Sequence, residues 1–120
     1  MPSPAEIVER YFDAWTSQDF DTARDLLHDD LSFIGPLETF DHADGLIESL
    51  KMLSQVVTGA ERRGVLSDGE QVAVVYDLHT VPVPVSRVAE WYNVRDGKIA
   101  TAEAFFDARP FAARFEQQPA

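Results

Sequence analysis

The sequence predicts an α+β fold, in which N-terminal helices pack on the concave face of a cone-shaped, curved antiparallel β-sheet. Apolar residues recur at helical spacing in the first half of the chain, whereas the second half consists of strand-like runs separated by turns. The connections between those runs are too short for crossover helices, which favours antiparallel pairing. We therefore expect a single domain over residues 1–120, with a pocket at the open end of the cone.

The first helix carries a clear pattern. Ser3 and Pro4 supply an N-cap and a first helical residue. A stripe of apolar residues follows at helical spacing: Ile7, Val8, Tyr11, Phe12 and Trp15.

Two further helices are expected before the main sheet. Asp19 or Asp21 can cap a short second helix that runs through Leu27. A third helix ends at Gly59. Its apolar face is formed by Leu46, Ile47, Leu50, Leu53 and Val57.

The strands follow from the turn residues. A short strand over residues 31–34 is stopped by Gly35 and Pro36. From Glu61 onward the chain reads as a four-stranded antiparallel meander. Its turns are predicted at residues 67–69, 82–84 and 95–98, and a closing turn of helix is predicted at residues 110–116.

Composition excludes several classes of function. The formal net charge of −11 argues against nucleic acid or an anionic membrane as a partner. The absence of cysteine excludes disulfides, thiolate metal sites and thiol nucleophiles, and it is compatible with a reducing cytoplasm. The opening residues lack the basic start and apolar run of an export signal, and no apolar stretch is long enough to span a bilayer, so we expect a cytoplasmic location.

Cofactor and metal motifs are also missing. The chain has no glycine-rich nucleotide loop and no Gly-x-Ser-x-Gly elbow, so we predict no cofactor. The run His28-Asp29-Asp30 invites a metal interpretation, but acidic residues at a helix-to-strand turn are more simply solvated or capping groups. We therefore predict no metal site, and we place His42 at the surface.

Three ionisable residues lie inside otherwise apolar runs near the end of the chain. Asp77 and His79 belong to the run 72–79, and Glu90 belongs to the run 88–92. Burying a charged group is costly unless it is paired or changes its protonation state. These residues therefore form either a satisfied polar network or a site for chemistry.

The layout as a whole resembles a known superfamily. The matching features are Arg10-Tyr11 in the first helix, Asp29-Asp30 before the first strand, Gly35-Pro36 after it, residues 95–99 before the last strand, and Phe106-Asp107 at its end. With these features the chain resembles the nuclear-transport-factor-2-like (NTF2-like) superfamily, and most closely its SnoaL-like and ketosteroid-isomerase-like branch. The resemblance covers nearly the whole chain, but it specifies fold far better than reaction.

Catalytic residues of the isomerase can be compared one by one. The resemblance implies that Tyr11 matches the catalytic tyrosine and that Glu90 matches the oxyanion-binding acid. The general-base aspartate stands before a proline in the isomerase, and here that position is Gly35. We therefore expect no standard ketosteroid isomerase activity, and a replacement base would have to be His79 or Asp77.

Strand alternation then divides the sheet into two faces, given Glu90 on the pocket face. We expect the pocket face to include Asp77 and His79, and its ligand-binding residues to be Val75, Val88, Tyr92, Ala104 and Phe106. The outer face would carry Val74, Tyr76, Leu78, Ala89, Trp91 and Phe105. So apolar an outer face predicts a covered surface, and the resemblance implies a sheet-to-sheet homodimer.

Two classes of function remain open. The first is a small-molecule enzyme, an isomerase, cyclase or hydrolase-like protein, that uses Tyr11, Asp77, His79 and Glu90 as acid/base groups in an apolar pocket. The second is a non-catalytic binding domain for a small apolar ligand, or a dimerising accessory subunit. Each residue also has a purely structural interpretation: Tyr11 as a core aromatic, Glu90 as a solvated strand residue, and Asp77 with His79 as a hydrogen-bonded pair.

Overall fold

Helices precede most of the strands in the computed structural model, which describes residues 2–81, 83 and 85–111. The helices are α1 (Pro4–Thr16), α2 (Phe20–Asp25) and α3 (Ala43–Ser54). The strands are β1 (Leu27–Ile34), β2 (Thr39–Phe40), β3 (Val57–Asp68), β4 (Gln71–Thr80), β5 (Val85–Arg95) and β6 (Lys98–Phe105). This arrangement confirms the predicted α+β fold with a curved, unclosed sheet.

Helix α1 begins where the sequence predicts. The Ser3 hydroxyl accepts a hydrogen bond from the backbone N–H of Glu6 at 3.2 Å, and the Glu6 carboxylate accepts one from the backbone N–H of Ser3 at 3.3 Å. This capping box satisfies two of the amide groups that a helix start leaves without partners. The buried side of α1 matches the predicted apolar stripe and also includes Ala14.

The other two helices end earlier than predicted. Asp19, rather than Asp21, caps α2 through the backbone N–H and hydroxyl of Thr22. Leu27 does not extend α2, because it begins β1 beside Ile99. Helix α3 likewise stops at Ser54, because Val57 and Gly59 belong to β3 and pair with β4. In both places sheet pairing decides the boundary of the helix.

The sheet has the order β2-β1-β6-β5-β4-β3. The four strands from β3 to β6 form the predicted antiparallel meander. Strand β1 is twice the predicted length and pairs parallel with β6, so the first and last long strands of the chain lie side by side. The two-residue strand β2, which the sequence did not predict, pairs antiparallel with the end of β1.

The turn between β5 and β6 follows directly from two residues. Asp96 and Gly97 both have positive φ, at 53° and 77°, between the paired residues Arg95 and Lys98. Two central residues with positive φ make a type I′ turn, whose twist suits a hairpin and for which Asp-Gly is a favoured sequence. This turn sets the register of β5 against β6.

One face of the sheet is covered by α1, which packs mainly against β3 and β4. The core beneath it includes Trp15, Tyr76 and Tyr92, each at most 4% exposed. None of the described helices is long and apolar enough to cross a membrane. Residues 109–111 are helical, and the rest of the helical turn predicted at 110–116 lies outside the described residues.

Candidate functional site: a buried carboxyl group among three tyrosines

Glu90 lies in the middle of the sheet on the face that α1 covers. It stands opposite Val74 of β4 on one side and Ala104 of β6 on the other. Residues directly opposite each other in antiparallel strands share a face, so Glu90 points to the same side as these two buried residues. The predicted facing of Glu90 is therefore confirmed, together with that of Val88, Tyr92 and Ala104.

Three phenol groups from three elements surround this carboxyl group. The Tyr92 hydroxyl donates a hydrogen bond of 2.8 Å to Glu90 Oε1. The Tyr11 ring of α1 packs edge-on against the Tyr92 ring, with centroids 6.0 Å apart. Tyr76 of β4 contributes the third phenol, and its ring lies 4.9 Å from that of Phe12. The sheet and α1 thus bring Tyr11 and Glu90 into one cluster, as predicted.

Burial dominates the electrostatics of this cluster. It raises the pKa of Glu90, while hydrogen bonding by Tyr92 and, more weakly, by Tyr76 lowers it. Only Tyr92 makes a hydrogen bond of good geometry to the carboxylate. Glu90 keeps some accessible surface, but its neighbours are mainly aromatic and aliphatic. The loss of hydration therefore changes its pKa more than the tyrosine hydrogen bonds do.

The pKa values of the three tyrosines are raised, whereas a neighbouring cation would lower them. Burial raises the pKa of Tyr11, Tyr76 and Tyr92 well above 10, and the negative charge of Glu90 raises each further. The three hydroxyl groups therefore stay protonated and act as hydrogen-bond donors at neutral pH. Glu90 is the carboxylic acid of the cluster, and burial raises its pKa above the ordinary value of 4.5.

The predicted facing of β4 is wrong. Val75, Asp77 and His79 lie on the outer face of the sheet, opposite Ala89, Arg87 and Val85 respectively. Val74, Tyr76 and Leu78, which were predicted to lie outside, are buried beneath the helices. Because a strand alternates its side chains, one error of parity exchanges every residue of β4 between the two faces. Asp77 and His79 are consequently separated from Glu90 by the sheet itself.

Asp77 is held in an ion-pair cluster on that outer face. Its carboxylate accepts hydrogen bonds from Nε of Arg87 at 2.7 Å and from Nε of Arg63 at 2.8 Å. The Arg87 hydrogen bond, which has the largest effect, lowers the pKa of Asp77; burial opposes it, and the charges of Arg63 and Arg87 lower the pKa further. The arginine side chains cover the carboxylate, which lies on the surface of the sheet rather than inside the core.

His79 and the remaining candidates also have ordinary structural partners. His79 Nε2 lies 2.6 Å from Glu61 Oε1, and His28 Nε2 lies 2.6 Å from the Arg95 carbonyl oxygen. Asp29 pairs with Arg24 at 2.6 Å. Exposed as predicted, the His42 side chain also caps α3 by accepting a hydrogen bond from the backbone N–H of Gly45. No group of three potential metal ligands occurs within the described ranges of the chain.

The last two residues singled out in the sequence, Phe106 and Gly35, lie just after β6 and β1. Phe106 directly follows β6 and is part-buried against the core. Gly35 follows β1, and its backbone N–H donates a hydrogen bond to the carbonyl oxygen of Glu38 at 2.9 Å. Its φ is not positive, and an added Cβ atom would lie 3.0 Å from the Phe33 ring. Gly35 leaves its turn without the carboxylate of the isomerase.

Two shallow cavities lie along the outer face, on the other side of the sheet from Glu90. They have volumes of about 200 and about 280 Å³, and Trp91 lines both of them. The first is bordered by Leu66 and Ala73, and the second by Ile34 and Glu103. Neither is lined by a residue of the Glu90 cluster, so these two cavities and the perturbed acid occupy different faces.

Tyr76 is the site residue that sequence reasoning missed. Alternation within β4 does not by itself decide which of its two faces is buried, and the sequence analysis places Tyr76 on the outer face. The turn at residues 82–84 contains the missing signal, since a hairpin centred on residue 82 pairs position 74 with position 90 and position 76 with position 88. That pairing places Tyr76 on the same face as Glu90.

Comparison with known proteins gives consistent matches. The SnoaL-like domain family model matches residues 8–102. A solved structure of a protein from Kribbella flavida DSM 17836 is 31% identical, with a TM-score of 0.85, and the match covers 93% of this chain and 96% of that one. No curated protein matches the sequence.

More distant structures share the fold. An NTF2-like protein of unknown function from Cytophaga hutchinsonii ATCC 33406 is 17% identical with a TM-score of 0.82, over 93% of this chain and 96% of that one. A candidate polyketide cyclase from Sinorhizobium meliloti is 20% identical with a TM-score of 0.77, over 88% of this chain and 95% of that one. At such identities the likeness concerns the fold alone.

Proposed function

Because this chain belongs to the SnoaL-like domain family of the NTF2-like superfamily, we propose that its α1-covered sheet face binds a small, mainly apolar molecule. The observation that carries this proposal is the Glu90 carboxyl group, held by the Tyr92 hydroxyl in an otherwise apolar and aromatic surrounding. A few polar groups that converge among apolar side chains are typical of small-molecule sites.

Hydrogen-bonding capacity indicates where the ligand would be recognised. Among the described residues, Tyr92 donates to Glu90 Oε1 and Tyr76 bonds the same carboxyl group more weakly, whereas the Tyr11 hydroxyl makes no hydrogen bond. In that same part of the chain no fully buried side-chain polar atom lacks a partner, so the Tyr11 hydroxyl keeps some accessible surface. The carboxyl group and this hydroxyl offer a ligand one strong acceptor and one donor.

Binding accounts for the cluster better than proton transfer by a pair of groups. Asp77 and His79 lie across the sheet, and Gly35 has no ionisable group. Around Glu90, the α1-covered face contributes three phenols with very high pKa values, and Arg62 on the same face is paired with Asp13. Orientation of a ligand needs no second acid/base group.

The proposal can be tested with 3-phenylpropan-1-ol, which joins an apolar body to a hydroxyl donor. Titration of the wild-type protein, followed by NMR, should shift the amide signals of Tyr11 and Glu90, and Glu90→Ala should weaken binding by at least about tenfold, the cost of roughly one hydrogen bond to a charged group. Trp91→Ala, which alters both outer-face cavities, serves as the matched control and should leave the affinity unchanged. Binding that is lost in Trp91→Ala and kept in Glu90→Ala would place the ligand on the outer face and refute the proposal.

Catalysis by Glu90 alone is the second candidate. It is supported by the burial that raises the pKa of Glu90 toward the range of an effective general base, with the Tyr11 hydroxyl available to an oxyanion. Catalysis can be tested by adding 4-phenylbutan-2-one to the same protein samples in D₂O and measuring the rate of deuterium exchange at the carbons beside the carbonyl group. A rate that falls in Glu90→Gln by ~10²–10⁴-fold, the usual contribution of a general base, would favour the enzyme.

We further propose that the protein forms a homodimer through the outer sheet face. Trp91 and Phe105 are 49% and 48% exposed there, and Ile34, Val85 and Leu66 are also exposed on this face. Large apolar side chains grouped on one face are typical of an interaction surface. Val74 and Tyr76 cannot take part as first expected, because they are buried in the core.

Sedimentation tests the dimer. We expect a dimer at micromolar concentration, with a standard interface of about 1,600 Å². Trp91→Asp should yield a monomer, because the new carboxylate would be buried without a partner. Met52→Asp places the same charge on an exposed apolar position of α3 and should leave the dimer intact. A wild-type monomer under these conditions would rule the dimer out.

A further inference from the structure

Glu90 is an acid without a cationic partner in the described part of the chain. The ion pairs there join Arg24, Arg62, Arg63, Arg87, Arg109, Lys51 and His79 to other carboxylates. Glu90 is hydrogen-bonded instead by neutral phenols, that of Tyr92 and, more weakly, that of Tyr76. An ionised Glu90 therefore brings one negative charge into an apolar surrounding, which is costly until a positive group compensates for it.

The phenol rings of Tyr11, Tyr76 and Tyr92 surround this charge, and further rings pack behind them. Phe12 and Trp15 of α1 pack edge-on with Tyr76, at centroid distances of 4.9 and 6.3 Å, and Tyr11 packs edge-on with Tyr92 at 6.0 Å. The faces of such rings carry partial negative charge and attract cations, organic ammonium groups in particular. A carboxylate among aromatic rings is thus a favourable surrounding for a positive group.

A cation already contacts the edge of this aromatic group. The Arg62 guanidinium lies 5.4 Å from the centroid of the Phe12 ring and donates a hydrogen bond to Asp13 at 3.0 Å. This arrangement repeats, at the surface, the combination of ring and carboxylate found around Glu90. The net charge of −11 also favours the approach of cations over anions from a distance.

The remaining hydrogen-bonding capacity of Glu90 points to the same partner. The Tyr92 hydroxyl donates to Oε1 and Tyr76 bonds the carboxyl group only weakly, so an ionised Glu90 can still accept from a ligand that has a hydrogen to donate or a positive charge to present. A carbonyl oxygen supplies neither to an ionised carboxylate. A protonated amine supplies both, and a charge-assisted hydrogen bond is about twice as strong as a neutral one.

We propose that the ligand of this face is an organic cation, an inference that rests on the proposed function. Its protonated amine pairs with Glu90, and its apolar body packs against the rings of Tyr11, Tyr76 and Tyr92. Among small molecules with an apolar body, those with a basic nitrogen are then preferred to alcohols and ketones of the same shape.

The test compares 3-phenylpropylamine with 3-phenylpropan-1-ol, two probes that differ in the terminal group. At pH 7.5 and 0.15 M salt, the wild-type protein should bind the amine at least about tenfold more tightly, as measured by NMR titration. Glu90→Gln should reduce this ratio to about one. Glu103→Gln removes one negative charge from an exposed position on the outer face and should keep the ratio, which separates local pairing from general attraction to an acidic protein.

The outcomes separate the two proposals. Equal affinities that both depend on Glu90 would overturn the cation inference and leave the binding function standing. A ratio that survives in Glu90→Gln would also overturn it. If neither probe shifts the amides around Glu90, the proposed function fails together with the inference. Should Glu90→Gln fail to fold, the wild-type ratio can be followed to low pH, where protonation of Glu90 should bring it to about one.

Discussion

Trp15→Ala is expected to destabilise the protein by about 3–5 kcal/mol, the usual cost of truncating a buried tryptophan. Trp15 is 2% exposed and packs edge-on against both Phe12 and Tyr76, so its removal leaves a cavity beneath α1. The midpoint of thermal unfolding should fall by roughly 10–20 °C for a domain of this size. Calorimetry or circular dichroism would measure the change.

Phe105→Ala is a suitable control for this truncation. Phe105 is 48% exposed on the outer face, so its loss removes an aromatic side chain without opening a cavity in the core. Measured at a concentration where the protein is monomeric, its effect should be well below that of Trp15→Ala. Equal losses of stability would contradict the location of the core beneath α1.

The stability of the wild-type protein, relative to Glu90→Gln, should fall as the pH rises above the unfolded pKa of Glu90. Burial raises the folded pKa of Glu90 above the unfolded value of 4.5. Below 4.5 the group is protonated in both states, and its contribution to stability is complete. At higher pH the unfolded chain releases this proton first, so the free energy of unfolding declines until the pH passes the folded pKa.

Denaturant unfolding at a series of pH values would give the free energy of unfolding against pH for the wild-type protein and for Glu90→Gln. Tyr11, Tyr76 and Tyr92, which face Glu90 from α1, β4 and β5, stay protonated throughout this range. Glu103→Gln provides the reference for the loss of one charge from the chain. At neutral pH, Glu90→Gln should be at least as stable as the wild-type protein. A difference curve that rises with pH would instead mean that Glu90 is ionised and paired in the folded state.

Local signals in the sequence predicted the fold well. The Ser3-Pro4 start, the apolar stripe of α1 and the Asp-Gly turn each act over a few residues, and each is observed. The boundaries of α2 and α3 were less predictable, because Leu27 and Val57 pair with strands far away in the chain. The parallel pairing of β1 with β6 has no local signal at all.

Only part of the candidate site could be predicted from the sequence. Glu90 could be located from its strand, because the last turn ties β5 to β6. Asp77 could not, because alternation defines two faces without saying which is buried, and β4 is buried on both faces around that residue. Arg63 and Arg87 cover the outer side of β4 there, so a charged residue in an apolar run was a surface ion pair rather than a pocket group.

The parallel pair of β1 and β6 has a consequence for the order of folding. Phe33 lies beside Ala102, so β1 gains its long partner only when nearly the whole chain is present. On a ribosome the first half of the protein must therefore wait, with β1 paired only to the two residues of β2, until residues 98–105 emerge. Contacts between such distant segments also slow folding in a test tube, because the loop between them must close before the pairing stabilises it. The hairpins from β3 to β6, whose partners are near neighbours in the chain, can form in the meantime.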